Sequence, residues 1–291
     1  MDYVGRIFRP PSEAQSLLLQ VTIGCSHNRC AYCDMYRDKQ FRPKPWESVA
    51  RDLAEAEGLG PRFSRVFLCD GDALILSTDR LLQILGAVRE KLPWVERVGC
   101  YGDTRSVGRK SPAELAELRA AGLGIVYHGV ESGNDEVLTF IDKGGTSAEC
   151  VTTADKLRDA GIVHSVIVLL GIGGTRLSAA HARDTASLLT AMDPPYVGAL
   201  TTTVVPGTPL ARAEERGDFT LPGKFGLLGE LLTLVRDSSL SKCRFSSNHA
   251  SNYLPVRAEL PRDKRELVQI LEAVIAEGDE SRLKPEWMRG L

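Results

Sequence analysis

Three of the seven cysteines in this 291-residue chain fall within one short stretch, VTIGCSHNRCAYCDMY. Cys25, Cys30 and Cys33 stand there as C-x4-C-x2-C. Thiolates are soft ligands, and one loop presenting three sulfurs at this spacing can wrap a cubic iron–sulfur cluster. Three protein ligands on a four-iron cluster leave one iron open, and an open coordination position marks chemistry rather than scaffolding. A cluster that only carries electrons normally has four protein ligands. Cys69, Cys100, Cys150 and Cys243 are scattered singly, so no fourth ligand is evident. A zinc knot is the competing reading, using these cysteines with His27 or His249. Cys30 and Cys33 fit half of a zinc knuckle, but the second cysteine pair is missing.

The elements that must position this loop alternate regularly. Apolar runs at 17–23 (LLLQVTI), 65–69 (RVFLC), 95–101, 123–130, 163–170 (VHSVIVLL) and 197–205 read as strands. Helical patterns lie between them, at 47–57, 79–92 and 177–192. Leu81, Leu82, Ile84, Leu85 and Val88 form one apolar stripe. Ser111-Pro112-Ala113-Glu114 and Thr146-Ser147-Ala148-Glu149 are capping boxes, and Gly122 and Gly161 stand where C-terminal caps belong. Strands alternating with helices imply a parallel sheet, and Val/Ile/Leu-rich strands fit burial on both faces. The expected fold is α/β, an open partial barrel of about six parallel βα units with a mostly helical C-terminal extension. The expected divisions are 1–16, 17–206 and 207–291. Glycine and polar groups collect after every run: Gly24-Cys25, Asp70-Gly71-Asp72, Gly102-Asp103, Glu131-Ser132-Gly133, Gly171–Gly174 and Pro206-Gly207. Those carboxyl ends form the rim on which α/β enzymes build their sites.

Composition narrows the class. Hydrophobic residues make up 43% and charged residues 25%, as in an ordinary globular protein, which excludes wholesale disorder. A net charge of −2 disfavours a nucleic-acid coat. No apolar run approaches the ~18 residues of a membrane span, and the N-terminus lacks a signal-peptide core. The expected location is the cytoplasm, where clustered thiols serve metals rather than disulfides.

The thiol loop after a first strand, the βα alternation and the sequences LCDGDALIL, YHGVESGNDEVL and VVPGTPL resemble the radical S-adenosylmethionine (SAM) superfamily over residues 17–209. They resemble most the branch holding the Elongator-type, tRNA methylthiotransferase and nitrogenase-cofactor enzymes. The superfamily usually places three residues between its first two cysteines, whereas this chain has four. The resemblance implies a [4Fe–4S] cluster on Cys25, Cys30 and Cys33, with SAM on the open iron. It implies reductive cleavage of SAM to a 5′-deoxyadenosyl radical that abstracts hydrogen from a substrate. It places Tyr32 along the adenine. Gly71, Asp72 and Ala73 take the position of the motif that binds the methionine amino group. Glu131 and Ser132 would meet the ribose or carboxylate, and Arg105 the carboxylate. Leu169, Leu170 and Gly171 would lie against the adenine.

Further residues are candidates from their own chemistry. Arg37, Lys39, Arg42 and Lys44 could hold an anion or a reductant, although a solvated loop is the plainer reading. Asn248, His249, Asn252 and Tyr253 are dense in hydrogen-bonding groups and could cover the substrate, or form an ordered turn network. Cys243 could donate a hydrogen atom to a product radical. A second cluster, an N-terminal cobalamin domain, a cysteine-rich tail and a second large domain are not seen in the sequence. The expected enzyme is therefore compact and acts on a small or medium organic substrate. Its expected reductant is a flavodoxin or ferredoxin. The alternative is an iron–sulfur electron carrier or sensor without SAM chemistry.

Overall fold

The computed structural model describes residues 1–290. In chain order the elements are β1 (Leu17–Gln20), β2 (Thr22–Ile23), β3 (Arg42–Pro43), α1 (Trp46–Gly58), β4 (Arg65–Cys69), α2 (Thr78–Lys91) and β5 (Arg97–Tyr101). Then come α3 (Thr104–Gly108), α4 (Pro112–Ala120), β6 (Leu123–Glu131), α5 (Asp135–Phe140), α6 (Ser147–Asp159), β7 (Val163–Leu170) and α7 (Gly174–Met192). The chain closes with β8 (Tyr196–Thr201), α8 (Pro209–Glu215), α9 (Lys224–Asp237), β9 (Cys243–Ser246), β10 (Arg257–Leu260) and α10 (Lys264–Glu277).

The main sheet has the order β1-β4-β5-β6-β7-β8-β9-β10, so it is open, with β1 and β10 at its edges. The pairings β1–β4, β4–β5, β5–β6, β7–β8 and β8–β9 are parallel, and β9–β10 is antiparallel. The six expected βα strands are all present. The extension is largely helical, as its pattern implied, but it also adds β9 and β10 to the sheet. Each is four residues long and β9 opens the polar run 245–253, too short and too polar for its period to show.

The chain divides into two compact units. The first comprises residues 1–28, 35–128 and 155–164; the second comprises 29–34, 129–154 and 165–291. In the first unit the helix-facing core joins Val66, Leu68, Val98 and Val126 to Leu53, Leu81, Leu85 and Leu115. The other side of its strands carries Phe67, Tyr101 and Tyr127, packed edge to face. Residues 1–16 belong to this unit through Glu13, a buried carboxylate that accepts from Arg97, Tyr127 and Ser16. In the second unit Val166, Val168, Leu170, Val197 and Ala199 meet Leu189 of α7 and Leu227, Leu231 and Leu234 of α9. Strand alternation sends Leu169 and Leu200 to the opposite side, where they join Ala31, Tyr32 and Val204.

Candidate active site

In the first unit the start of the thiol loop is tied to the end of β4. Asp70 is fully buried, and its Oδ2 accepts from Gln20 Nε2 at 3.0 Å, Gly24 N at 3.1 Å and Lys39 Nζ at 3.1 Å. The next residue must be glycine. A Cβ on Gly71 would lie 2.7 Å from the Tyr36 ring and 2.8 Å from Cys25 Cβ. Cys25 is thus packed directly on the strand-end motif. Asp72 is buried beside it: Oδ2 accepts from Ser26 Oγ at 2.6 Å, while Oδ1 has no hydrogen-bond partner among the described residues. Burial, then the charge of Asp103, pushes the Asp72 carboxyl up to about 7. Arg105 is held by Asp103, whose Oδ2 accepts from Nε at 3.0 Å. The Ala73 methyl is spent in the core of this unit.

In the second unit the loop's later half is clamped through Ala31. Its N–H donates to Ile141 O at 2.7 Å and its carbonyl accepts from Leu210 N at 2.9 Å. Tyr32 OH donates to Glu131 Oε1 at 2.9 Å, and Lys143 Nζ donates to the same oxygen at 2.9 Å. Burial and the Glu131 charge hold the Tyr32 phenol neutral. Lys143 escaped sequence reasoning; it lies twelve residues past Glu131, after α5, in an unremarkable Lys-Gly turn. Glu131 has φ +66°, a conformation uncommon for a residue with a side chain, at the last position of β6. Such outliers concentrate at functional sites.

The strand-end turns of this unit are braced from α7 and α9. Ser132 Oγ lies 2.8 Å from His181 Nδ1 and accepts from Asn134 N at 3.0 Å. Gly171 N donates to Glu230 Oε2 at 2.6 Å, and Ser178 Oγ to Glu230 Oε1 at 2.6 Å. Of the two leucines expected near adenine, Leu169 shares a cluster with Tyr32 while Leu170 faces the helices. Leu170 is thereby corrected to a core residue, because neighbours on a strand point to opposite faces.

Burial pushes the Glu230 carboxyl up to about 7 from its ordinary 4.5. Between those values the folded protein keeps a proton that the unfolded chain has lost, so this group makes stability fall as pH rises from about 4.5 to about 7. Glu230→Gln should remove that limb. The melting-temperature advantage of wild type over Glu230→Gln is expected to shrink between pH 5 and pH 7.5. A pH-independent difference in scanning calorimetry would refute the assignment.

Other candidates fall elsewhere. Cys243 opens β9, which runs parallel to β8 and pairs Arg244 with Tyr196, the first residue of β8. It therefore sits at the amino end of the strands, buried, its thiol pushed up to about 12 by desolvation. That is the end of the strands opposite the carboxyl rim, a place that lends the expected hydrogen-donor role of Cys243 no support. Asn252 is buried and satisfied by Ala199 O, Ser247 O and Thr201 Oγ1. Tyr253 OH donates to Glu286 and accepts from Arg289, and His249 Nδ1 lies 2.9 Å from Ser251 Oγ. Asn248 is exposed and meets Arg257 once its amide is oriented to suit the guanidinium. These contacts form the turn-network alternative. Lys39 and Lys44 are neither solvated nor available to an anion, being buried on Asp70 and Asp52.

Thiolate sulfurs are the ligands that iron–sulfur clusters take. None of the seven cysteines is in a disulfide, and Cys25, Cys30 and Cys33 are the ones not fully buried. Among the described residues no three or more His, Cys, Asp or Glu side chains are grouped so that they could hold a metal ion. The strand-end turn thus holds one buried carboxylate oxygen of Asp72 without a hydrogen-bond partner among the described residues, next to a glycine packed on Tyr36 and Cys25.

Residues 19–188 match the family described as the radical SAM superfamily, and the chain belongs to it. It is an enzyme of that class, with an iron–sulfur cluster and SAM as cofactors. Solved structures of similar fold include the radical SAM methyltransferase TsrM from Kitasatospora setae, at 21% identity and TM-score 0.56, covering 72% of this chain and 41% of that one. Coproporphyrinogen III oxidase HemN from Escherichia coli follows at 18% identity and TM-score 0.57, covering 76% and 52%. The archaeal Methanocaldococcus infernus Elp3 gives 13% identity and TM-score 0.52, covering 91% and 63%. The chain spans from 41% to 63% of the lengths of these structures. No curated protein matches the sequence. Among the described residues no helix is long and apolar enough to cross a membrane.

Proposed function

We propose that this chain cleaves SAM reductively at a [4Fe–4S] cluster held by Cys25, Cys30 and Cys33, and uses the product to activate a small or medium organic substrate. When bound, the reduced cluster would supply the electron that splits SAM into methionine and a 5′-deoxyadenosyl radical, which takes a hydrogen atom from the substrate. The observation that carries the reading is the packing of Cys25 on Gly71, which joins the thiol loop to the end of β4. Asp72 would accept from the SAM ammonium through its unpartnered oxygen, with the Gly71 carbonyl beside it. Arg105, oriented by Asp103, would face the carboxylate. In the second unit, Tyr32, Leu169 and Gly171 would hold the nucleoside, and Glu131 with Lys143 its hydroxyls. Electrons would come from a flavodoxin or ferredoxin in the cytoplasm.

The test is anaerobic reconstitution with iron and sulfide, reduction, addition of SAM and chromatography for 5′-deoxyadenosine, with Cys30→Ala in parallel. Wild type should form 5′-deoxyadenosine and change its EPR signal on SAM addition, and Cys30→Ala should lose at least 100-fold of the cleavage, on the order of 3 kcal/mol or more. A cluster that ignores SAM would leave an electron carrier or sensor instead.

A further inference from the structure

We infer that Asn28 is a positioning residue of the thiol loop: its side-chain amide closes the neck of the loop and so sets Cys25 and Cys30 for one cluster. The inference rests on the reading above of Cys25, Cys30 and Cys33 as the cluster ligands. Four residues, Ser26 to Arg29, separate the first two thiols, one more than the superfamily usually has. An added residue lengthens the reach between two ligands by up to about 3.5 Å, so the excess must be folded away. Asn28 does this in two ways. Its φ is +49°, in the left-handed region that asparagine enters more readily than most residues, so the chain turns there. Its Nδ2 then donates to Tyr36 O at 2.8 Å and to Lys39 O at 3.3 Å, one bond for each amide hydrogen.

Both carbonyls belong to a fixed turn. Lys39 N–H donates to Tyr36 O at 3.0 Å and closes it. The buried Tyr36 ring packs on Gly71 and meets Phe8 edge to face, while Lys39 Nζ is bound to Asp70. The chain entering the loop is fixed as well, through Gly24 N on Asp70 and Ser26 Oγ on Asp72. Asn28 joins the entering stem to the leaving one. Residues 29–34, with Cys30 and Cys33, run in sequence between these two stems. The tie to Tyr36 spans eight residues, so the segment that carries two of the donors is a short closed loop before any metal is bound. A loop closed this tightly has few conformations to lose when its thiols take a cluster.

Asn28→Gly keeps the left-handed turn and removes the tie. Asn28→Asp keeps the shape and replaces both donors by an acceptor that faces two carbonyls. Circular dichroism and the melting temperature are measured on the protein without iron. Iron and sulfide per chain, the EPR signal of the reduced cluster and the rate of iron loss to a chelator are measured after anaerobic reconstitution. Both variants should fold, change the EPR signal and release iron about tenfold faster than wild type, the size expected from one or two lost hydrogen bonds. Release within about threefold of wild type with an unchanged EPR signal overturns the inference, even if the melting temperature falls, since Asn28 would then serve the fold alone. Failure of both variants to fold without iron overturns it too. A wild type that takes up no cluster, or a Cys30→Ala variant that loads as wild type does, removes the reading of the ligands and this inference with it. A cluster that is lost in Cys30→Ala but held as in wild type by Asn28→Gly and Asn28→Asp removes the inference alone.

Discussion

Lys143→Met is expected to cost about 3–5 kcal/mol of stability, the usual result of stripping one partner from a buried ion pair. The Lys143 and Glu131 side chains are 16% and 7% exposed, and their atoms are 2.9 Å apart. Burial disfavours the Lys143 ammonium, but the charge and hydrogen bond of Glu131 more than offset this and hold it protonated well above the ordinary lysine range. Without it, the Glu131 carboxylate keeps only the Tyr32 phenol as a donor in a poorly solvated place. Adding Glu131→Gln should return most of the loss, because a neutral amide still accepts from Tyr32 and leaves no bare charge. Denaturant unfolding of both variants checks this. A loss below about 1 kcal/mol in Lys143→Met would mean that the pair behaves as a solvated one. The double variant should regain stability without regaining SAM affinity, which would separate the fold's use of the pair from the ligand's.

Gly133→Ala should be comparably damaging for a different reason. A Cβ there would stand 2.3 Å from Asp184 O and 2.7 Å from Thr185 Cα, both backbone atoms of α7. No side-chain rotation relieves that, so the helix or the turn must move. The Gly133 N–H bond to Thr185 Oγ1, 2.8 Å long, would be lost with it. Overpacking of this kind costs about 3 kcal/mol. Gly86→Ala is the matching control, since nothing lies within 4 Å of a Cβ at that position of α2. It should raise stability by about 0.5–1 kcal/mol through helix propensity. Equal melting temperatures for the two variants would disprove the close approach at Gly133.

The parallel core was legible because its strands are apolar on both faces and its helices carry explicit stop and start residues. Ser111 and Glu114 close the capping box that their spacing implied, and Arg65–Cys69 and Val163–Leu170 have the expected bounds. The cysteine spacing and the strand-end Asp-Gly-Asp were legible as short local motifs, although the bond between Ser26 and Asp72 spans 46 residues. What escaped depends on long-range pairing. Glu230 reaches Gly171 from 59 residues away, and the ammonium of Lys39 is buried by an aspartate 31 residues on. The facing of Leu169 against Leu170 needed the strand's phase relative to the helices, which an all-apolar run does not display. β9 and β10 are held by their neighbours rather than by their own pattern.

The clamp on Ala31 has a thermodynamic consequence. Because both of its backbone groups are bonded, to Ile141 and to Leu210, the segment bearing Cys30 and Cys33 is ordered by protein contacts alone. Under the proposed ligation, the entropy of fixing those two donors would be spent when the chain folds rather than when iron arrives. Metal capture would then be an event of an already folded protein, unlike that of small modules whose fold exists only while the ion is held.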